Sequence, residues 1–389
     1  MIPYIDLLYF GISLYVIIPA LIIGFFRRGW RVWLIIATAV MLVLQNTHSR
    51  EIFGSAISEL LLLLVYAMVE WFVAAGFLAL RAKGQNRVAL YAALFFNLLP
   101  LLAAKFIPIF EPEYPVIFLG LSYITFRVLD VTLGVQDKLI KQVKPLPYLT
   151  YLLFFPTISS GPIDRFRRFN EDWNRDRTRE QFTQDVDEGI HRIFTGFLYK
   201  FILAALIKQY WLDPAAQGTD LWHTLSYMYS YFFYLFFDFA GYSAFAIGFS
   251  CLFGIHTPEN FNSPFLARDI RDYWNRWHMS LSFWFHDHVY NRFVFGALKG
   301  KWFKDSQTAS NLGYLLTMTL MGIWHGTALH YIIYGFYHGV LLMTTNWLDK
   351  KYKGNRLLND SRLFWRALSM LITFHLVALG LLFFSARIF

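Results

Sequence analysis

The chain has 389 residues, of which 57% are hydrophobic, 20% are aromatic and only 16% are charged. Soluble globular domains carry about a quarter charged residues, so this composition excludes that class and predicts a membrane-embedded protein. The formal net charge is +9, but no separate basic domain is visible that would bind nucleic acid. The single cysteine, Cys251, excludes an intramolecular disulfide and a cysteine-based zinc site, and its apolar surroundings predict a small core residue.

Hydrophobic residues are grouped into blocks, most of them long enough to cross a hydrocarbon core about 30 Å thick. We therefore predict an all-α polytopic membrane protein with about ten to eleven transmembrane helices. The blocks are 5–25, 32–46, 56–80, 88–104, 116–134, 147–160, 190–212, 221–253, 309–324, 327–347 and 364–385. We expect one membrane-embedded domain, 1–389, with N-terminal spans at 1–135, re-entrant, interfacial and histidine-bearing segments at 136–300, and C-terminal spans at 301–389.

Basic residues are concentrated in alternate loops. The loops near 46–55 and 105–114 are neutral or acidic, the latter through Glu111 and Glu113. The positive-inside rule therefore places the basic loops in the cytoplasm and the N-terminus outside. The positive charge of these loops would attract anionic lipid or an acidic soluble partner, and the charge alone does not distinguish between the two. The basic residues are Arg27, Arg28 and Arg31, then Arg81, Lys83 and Arg87, then Lys138, Lys141 and Lys144.

The block 147–160 interrupts this alternation. A complete crossing would place 163–187, with its six arginines, outside the cell. Pro156 and the run 159–162 (Ser-Ser-Gly-Pro) favour a broken element instead. Broken backbone is tolerated at membrane depth only where protein or a water-filled cavity satisfies its polar groups. We therefore predict a re-entrant segment at 147–160, with a full crossing as the alternative.

Two histidine-bearing stretches carry the most chemical information. In the first, a continuous helix would place Trp274, Trp277, His278 and Leu281 on one face. Arg268, Asp272 and Arg276 recur every four residues and are expected to form ion pairs on another face. In the second, 321–326, a histidine lies between glycines at the end of an apolar run. Ionisable groups at membrane depth are costly and usually line a functional path.

The remaining histidines are expected to be mainly structural: His256, His286, His288, His330, His338 and His375. The local run His286-Asp287-His288 is the best candidate for metal binding, but it lacks an HExxH-type spacing. We therefore expect no metal site.

The stretches 271–278 (Arg-Asp-Tyr-Trp-Asn-Arg-Trp-His) and 322–326 (Gly-Ile-Trp-His-Gly) resemble the membrane-bound O-acyltransferase superfamily. Three further motifs are similar to its teichoic acid D-alanyl transfer (DltB) branch, and their order and the chain length agree along nearly the whole sequence. These motifs are 120–127, 154–165 and 237–243. One departure is His286-Asp287-His288, where the family has Arg-Asp-Tyr. We expect the helix to continue there, and the role of an arginine at this place is in doubt.

The resemblance implies a D-alanyl acyltransferase of a Gram-positive-type cell membrane. Its donor would be D-alanine held as a phosphopantetheine thioester on a small acidic carrier protein, which a separate ATP-using ligase loads. The acceptor would be lipoteichoic acid, and other membrane proteins of the pathway would assist the final transfer. A thioester is already activated, so the chain itself needs no bound cofactor or metal.

Transfer to a hydroxyl needs a base, and histidine is suited to this because its pKa lies near working pH. We predict that His325 is the base and that His278 polarises the carbonyl or shares proton transfer, both facing a central cavity or tunnel. Predicted substrate-binding residues are Trp277, Trp324, Asn275 and Ser282. Predicted carrier-docking residues are Arg81, Lys83, Arg87, Lys138 and Lys141.

Two alternatives stay open at this point. A polysaccharide O-acetyltransferase of the same superfamily would share both histidines and much of the fold. A transporter or flippase would also use broken helices and intramembrane polar residues, although the sequence shows no paired half-helices and no intramembrane acidic relay.

Overall fold

The computed structural model describes residues 3–26, 29–46, 56–110, 120–351 and 363–389. Within these ranges the chain is helical, and the only extended pairing is an isolated bridge between Phe261 and Trp277. The predicted all-α class is therefore confirmed. Arg27 and Arg28, most of the neutral loop 46–55 and the acidic residues Glu111 and Glu113 lie outside the described residues.

The chain forms two compact units. The first comprises Met1–Gly196 and Tyr242–Pro258, and the second comprises Phe197–Gly241 and Glu259–Phe389. The first contains α1 (Leu7–Phe25), α2 (Trp30–Asn46), α3 (Ala56–Ala82), α4 (Arg87–Phe110), α5 (Leu121–Gln136), α6 (Pro145–Leu153) and α7 (Phe166–Asn174). The unit boundaries fall inside two long helices, α8 (Arg179–Ala216) and α9 (Leu221–Leu252).

The second unit contains the remaining helices. These are α10 (Ile270–Trp274), α11 (Met279–Phe285), α12 (Asn291–Lys299), α13 (Ser306–His325), α14 (Leu329–Lys351) and α15 (Leu363–Phe384). A π-helical turn, His286–Tyr290, joins α11 to α12. The helix therefore continues through the departure from the family pattern, as expected.

Six described helices are long and apolar enough to cross a membrane: α1, α3 from Leu60, α4, α8, α9 and α15. The chain is therefore a multi-pass membrane protein. Helices α2, α5, α13 and α14 correspond to other predicted apolar blocks but are not among these six. The prediction of ten to eleven crossings stays a prediction.

The segment after α5 is broken, as predicted. Helix α6 has nine residues, which at 1.5 Å per residue is about 14 Å and less than half of the hydrocarbon thickness. The buried guanidinium of Arg127 organises the turn that follows, because it donates to the carbonyl oxygens of Tyr151, Leu152 and Thr157 at 2.8–2.9 Å. This arginine satisfies the backbone groups that broken secondary structure would otherwise leave unpaired.

Both ends of this broken segment lie at the same side of the first unit. A small cleft is lined by Gln142 and Lys144 before the segment and by Asn170 and Trp173 after it. The Arg31 side chain, in the first basic loop, donates to the carbonyl oxygen of Trp173 at 2.6 Å. The arginine-rich stretch 163–187 therefore shares a side with the basic loops, which agrees with a re-entrant segment.

A charged network closes the same side of the unit. The backbone N–H of His256 donates to Asp172 at 2.7 Å, and its imidazole lies 2.8 Å from Asp185. Arg177 pairs with Asp185 at 3.2 Å. The histidine therefore connects α7 to the start of α8, which confirms the structural role expected for it. Cys251, the residue before the last one of α9, is buried, as predicted.

Candidate active site

His278 lies in a break between two short helices. α10 ends at Trp274 and α11 begins at Met279, while His278 itself has a left-handed backbone with φ of 44°. The predicted continuous helix is therefore wrong. The physical reason is a competing backbone pairing: Met279 donates to the carbonyl oxygen of Asn260 at 2.9 Å, and Asn262 donates to that of Arg276 at 3.0 Å.

The predicted polar face of this stretch is partly confirmed. Arg276 pairs with Asp272 at 2.7 Å, whereas Arg268 contributes its backbone N–H, at 3.0 Å, and not its side chain. Asp269 accepts a hydrogen bond from the backbone of Asp272 and begins α10. These interactions hold the short helix and fix the direction in which the chain enters the break.

The break buries His278 among aromatic rings. Only 4% of this residue is exposed, and its ring meets that of Phe239 edge to face at 4.7 Å. Within the described part of the chain, its Nδ1 atom has no hydrogen-bond partner. A buried nitrogen without a hydrogen-bond partner destabilises the folded protein. A ligand or water molecule that bonds to this nitrogen would therefore lower the free energy.

His325 is the last residue of α13 and is half-buried. Its ring contacts Trp324 at 4.6 Å, Phe384 at 5.0 Å and Tyr331 at 6.3 Å. His278 and His325, which are 47 positions apart in the sequence, both belong to the second unit, and a charge on His325 would disfavour a charge on His278.

Two glycines fix the position of His325. A Cβ atom on Gly322 would lie 2.3 Å from the carbonyl oxygen of Tyr331, and one on Gly335 would lie 2.3 Å from that of Met318. Helices α13 and α14 therefore cross at backbone contact, a packing that only small residues allow in membranes. The crossing lies one turn before His325 and holds the end of α13 in place.

The second unit contains a cavity of about 340 Å³, but neither His278 nor His325 is among the residues that line it, so the prediction that both face a cavity stays a prediction. The cavity is lined by Asn275 and Ser282, two of the predicted substrate-binding residues, together with Trp274, Thr317 and His286. Trp274 Nε1 and Thr317 Oγ1 are buried and, among the described residues, have no hydrogen-bond partner. The cavity therefore offers donors to a ligand that carries carbonyl or other acceptor oxygens.

The other two predicted substrate-binding residues do not line this cavity. Trp277 is buried against Phe261 and Tyr273, at 5.1 and 5.7 Å between ring centroids. Trp324 packs edge to face on His325. Trp277 and Trp324 are thus placed to support the two histidines. A role of these tryptophans in substrate binding stays a prediction.

Sequence reasoning missed two histidines near this site. His286 was expected to be structural, yet it lines the cavity, and the departure from the family pattern at 286–288 was the available signal. His338 is fully buried beside Trp274 and Tyr334, and neither of its ring nitrogens has a partner in the described chain. Nothing in its local sequence distinguished it. The described residues include no group of three or more His, Cys, Asp or Glu that could hold a metal ion.

The predicted carrier-docking residues lie in the first unit. The Arg81 side chain is already engaged, because it donates to the carbonyl oxygen of Gln136 at 3.1 and 3.2 Å and caps α5. That contact places the loop after α3 beside the loop after α5. The four other predicted residues, Lys83, Arg87, Lys138 and Lys141, are exposed.

Comparisons with known proteins agree with the resemblance. The profile of the membrane-bound O-acyltransferase (MBOAT) family matches residues 36–379. The teichoic acid D-alanyltransferase of Bacillus subtilis (strain 168) is 41% identical over 100% of this chain and 99% of its own length. That of Streptococcus thermophilus is 38% identical, covering 97% and 92% of the two chains. A more distant match, the probable alginate O-acetylase AlgI of Pseudomonas aeruginosa, is 34% identical over 69% of this chain and 49% of its own length. The chain therefore belongs to the membrane-bound O-acyltransferase family.

Proposed function

We propose that this protein transfers D-alanine to teichoic acid, taking it from a thioester on a carrier protein. The observation that carries the proposal is the presence of His278 and His325 in one compact unit of a chain that matches a teichoic acid D-alanyltransferase from end to end. An acyl transfer to a hydroxyl needs one group that accepts a proton and one that polarises the carbonyl. The two histidines can divide these roles.

The reaction is an exchange of a thioester for an ester. His325 takes the proton of the acceptor hydroxyl as that oxygen attacks the thioester carbonyl carbon. The carbon–sulfur bond then breaks, and the same proton passes to the departing thiolate, so neither ATP nor a redox step is involved. His278, if it donates through one ring nitrogen, stabilises the developing oxyanion. Its aromatic surroundings exclude water, which strengthens that hydrogen bond.

The cavity lined by Asn275 and Ser282 is the proposed site for the donor arm. A phosphopantetheine arm carries two amide groups, whose carbonyl oxygens match the unpaired donors Trp274 Nε1 and Thr317 Oγ1. The amide of Asn275 and the hydroxyl of Ser282 supply further polar contacts on the wall. We propose that the arm enters beside His286, whose side chain is 55% exposed.

Two surfaces are candidates for docking the acidic carrier. The first is the basic loop pair with Lys83, Arg87, Lys138 and Lys141, as the sequence predicts. The second is α12, which follows the cavity opening directly and exposes Phe295 and Leu298 near Lys299. A short arm needs a docking surface near the cavity, and α12 begins directly after the cavity-lining residue Tyr290, which supports this second surface.

Charge and apolar substitutions separate the two docking surfaces. If the carrier docks on α12, Phe295→Asp raises the KM for loaded carrier by about tenfold or more, because it places a charge in an apolar contact. The pair Lys138→Glu and Lys141→Glu then changes KM by less than about threefold, the range expected for charges at a rim. The opposite result would assign docking to the basic loops.

We further propose that the N-terminus lies outside the cell and the basic loops lie in the cytoplasm. The neighbouring positions of Arg31, Lys144 and Trp173 support this orientation, because they gather the basic segments at one side. The loading of the carrier in the cytoplasm and the delivery of D-alanine outside then require the site to be reached from both sides.

Transfer of labelled D-alanine from loaded carrier to membranes tests the function. We expect transfer by the wild type and a loss of at least about a hundredfold in His325→Ala, the scale expected for removal of a general base. His375→Ala is the matched control, because that histidine is exposed and its ring donates a hydrogen bond to the carbonyl oxygen of Leu371, one helical turn earlier. Equal loss in both variants, or activity retained in His325→Ala with the folded protein intact, would contradict the assignment.

The rival functions differ in measurable ways. A polysaccharide O-acetyltransferase would accept an acetyl donor in the same assay and would not discriminate for D-alanine. For transport, the structure adds one relevant feature: Glu70, inside α3, is 2% exposed and lies beside Asn97 of α4. Buried carboxylates at membrane depth often mark a path for ions. A transporter would depend on Glu70 and not on His325, so Glu70→Gln distinguishes the two.

A further inference from the structure

The cleft between the two ends of the re-entrant segment is distinct from the donor cavity, because the two share no lining residue among those described. This surface cleft belongs to the first unit and has a volume of about 200 Å³. Its described lining combines one cation, three amide side chains and an aromatic ring, and it includes no carboxylate. The lining residues are Gln142, Lys144, Pro147, Asn170, Trp173 and Asn174.

The polar side chains of the surface cleft are available to a ligand. Gln142 and Lys144 are exposed, and within the described ranges their side chains form no hydrogen bond or ion pair. The amide nitrogen of Asn174 donates to the carbonyl oxygen of Asn170 at 2.6 Å, which leaves the side-chain oxygen of Asn174 as an acceptor. A lysine without a carboxylate partner attracts an anion, and the neighbouring amides can both donate and accept hydrogen bonds.

The surface cleft lies at the depth of the membrane surface. Helix α6 begins beside it at Pro145 and enters the membrane as the first part of the re-entrant segment. Helix α7 forms the other side and is amphipathic, since Phe169 and Trp173 are buried whereas Arg167 is exposed. Amphipathic helices of this kind lie in the interface between hydrocarbon and water. The surface cleft is therefore at the level of lipid headgroups.

Further cations lie on the same side of the unit. The Arg31 side chain donates to the carbonyl oxygen of Trp173, in the wall of the surface cleft, and pairs with Asp176 at 3.5 Å. The side chain of Asp176 is 88% exposed, so water screens its charge. Lys141, three residues before Lys144, is also exposed. The local charge therefore favours an anionic ligand.

We propose that the surface cleft binds the headgroup of an anionic phospholipid that carries hydroxyl groups. Lys144 binds a phosphate oxygen, and the amides of Gln142 and Asn170 exchange hydrogen bonds with the hydroxyl groups. A volume of about 200 Å³ is below the range of about 300–1,000 Å³ that is usual for whole small molecules. It suits a headgroup whose acyl chains stay in the bilayer, beside Leu146, which is 52% exposed on the first turn of α6.

A bound headgroup has a consequence for the re-entrant segment. The same headgroup contacts Lys144, directly before α6, and Asn170, within α7. It therefore links the two ends of the broken element at the membrane surface and holds α6 in place. This inference does not depend on the transfer reaction, and its tests require no catalysis.

Native mass spectrometry of the full chain in a neutral detergent tests lipid binding. We expect the wild type to retain phosphatidylglycerol at concentrations at which phosphatidylcholine is lost. Lys144→Gln should weaken phosphatidylglycerol binding by about tenfold, the effect of losing one charge-assisted hydrogen bond. Lys141→Gln is the matched control, because it removes the same charge from an exposed lysine that does not line the cleft. An equal effect of both substitutions would overturn the site and show general attraction to positive charge.

Competition distinguishes a lipid headgroup from a free phosphate ester. Soluble glycerol phosphate carries the same polar groups without acyl chains, and we expect it not to displace phosphatidylglycerol at equal concentration. Displacement at equal concentration would overturn the assignment to a lipid. Phosphatidic acid lacks the headgroup hydroxyls and should be retained several-fold less well than phosphatidylglycerol. Equal retention of the two lipids would overturn the part assigned to the amides.

Hydrogen exchange of the backbone at 145–153 tests the effect on the re-entrant segment. In lipid nanodiscs we expect α6 of the wild type to exchange several-fold more slowly in phosphatidylglycerol than in phosphatidylcholine. Lys144→Gln should remove this difference, whereas Lys141→Gln should keep it. Both lysines are exposed, so neither substitution disturbs the core, and circular dichroism checks that both variants are folded. Equal exchange of wild-type α6 in the two lipids would overturn the proposed link between the headgroup and the segment.

Discussion

Substitution of Gly322 by alanine tests how tightly the position of His325 is fixed. The added Cβ would lie 2.3 Å from the carbonyl oxygen of Tyr331 and 3.2 Å from the backbone of Gly335. An ordinary contact between such atoms is about 3.5 Å, so α13 and α14 must separate by about 1 Å. Overpacking of this kind costs about 1–3 kcal/mol, and a misplacement of about 1 Å near the reacting atoms can lower the rate about a hundredfold.

The measurement is D-alanyl transfer by purified protein in lipid nanodiscs, together with its thermal unfolding. Gly76→Ala, in α3, is the matched control, because none of the described neighbouring heavy atoms lies within 4 Å of its added Cβ. Alanine in a helix is about 1 kcal/mol more favourable than glycine, so this control should be at least as stable as the wild type. If Gly322→Ala keeps its rate within about threefold, the backbone crossing does not position His325 and the reasoning fails.

Three further predictions concern the first unit and its surface. Hydrogen bonds to Asp172 and then Asp185 raise the pKa of His256 from 6.5 to about 9. This stabilisation is complete below about pH 6.5 and is lost as the pH rises through 9; with 40% of the side chain exposed, screening reduces it to about 1 kcal/mol. The midpoint temperature of thermal unfolding should therefore fall more steeply between pH 7 and 10 for the wild type than for His256→Gln. An equal fall of the midpoint with pH in both proteins would refute the network. Arg127→Met should destabilise the protein by about 3–5 kcal/mol, because it leaves buried carbonyl groups without donors; protease sensitivity of 145–162 measures this, and unchanged resistance would contradict it. Arg81→Ala should lower the thermal midpoint by removing the cap of α5, whereas Lys83→Ala, whose side chain is exposed, should not.

The sequence was sufficient for the class of fold, and the two histidines that it singled out, His278 and His325, lie in the same unit. Long apolar blocks follow directly from the thickness of the bilayer, and the broken element at 147–160 was visible in its proline and glycine residues. The break at His278 was not visible. A helical face at Trp274, Trp277 and Leu281 has the right spacing, but the pairing with Asn260 and Asn262 is a tertiary contact and overrides that local pattern.

Burial of polar groups was the other feature that the sequence could not predict. Arg127 lies within an apolar block, and only its distant partners at 151–157 explain why it is tolerated. Likewise, of the predicted substrate-binding residues, Asn275 and Ser282 line the cavity, whereas Trp277 packs against Phe261 instead. Which side of a short helix faces a cavity depends on neighbours that are remote in the sequence.

Arg127 also constrains how the protein is made. Helix α5 leaves the ribosome before the segment that contains Tyr151, Leu152 and Thr157, whose carbonyl oxygens pair with this guanidinium in the finished structure. A charged group at membrane depth is costly while it has no partners. The nascent chain therefore inserts α5 in a less favourable state and gains stability only when the following turn folds back into the membrane. Stable packing of this region therefore requires the chain to be made at least as far as Thr157, and a truncation before Tyr151 would leave Arg127 without these three acceptors.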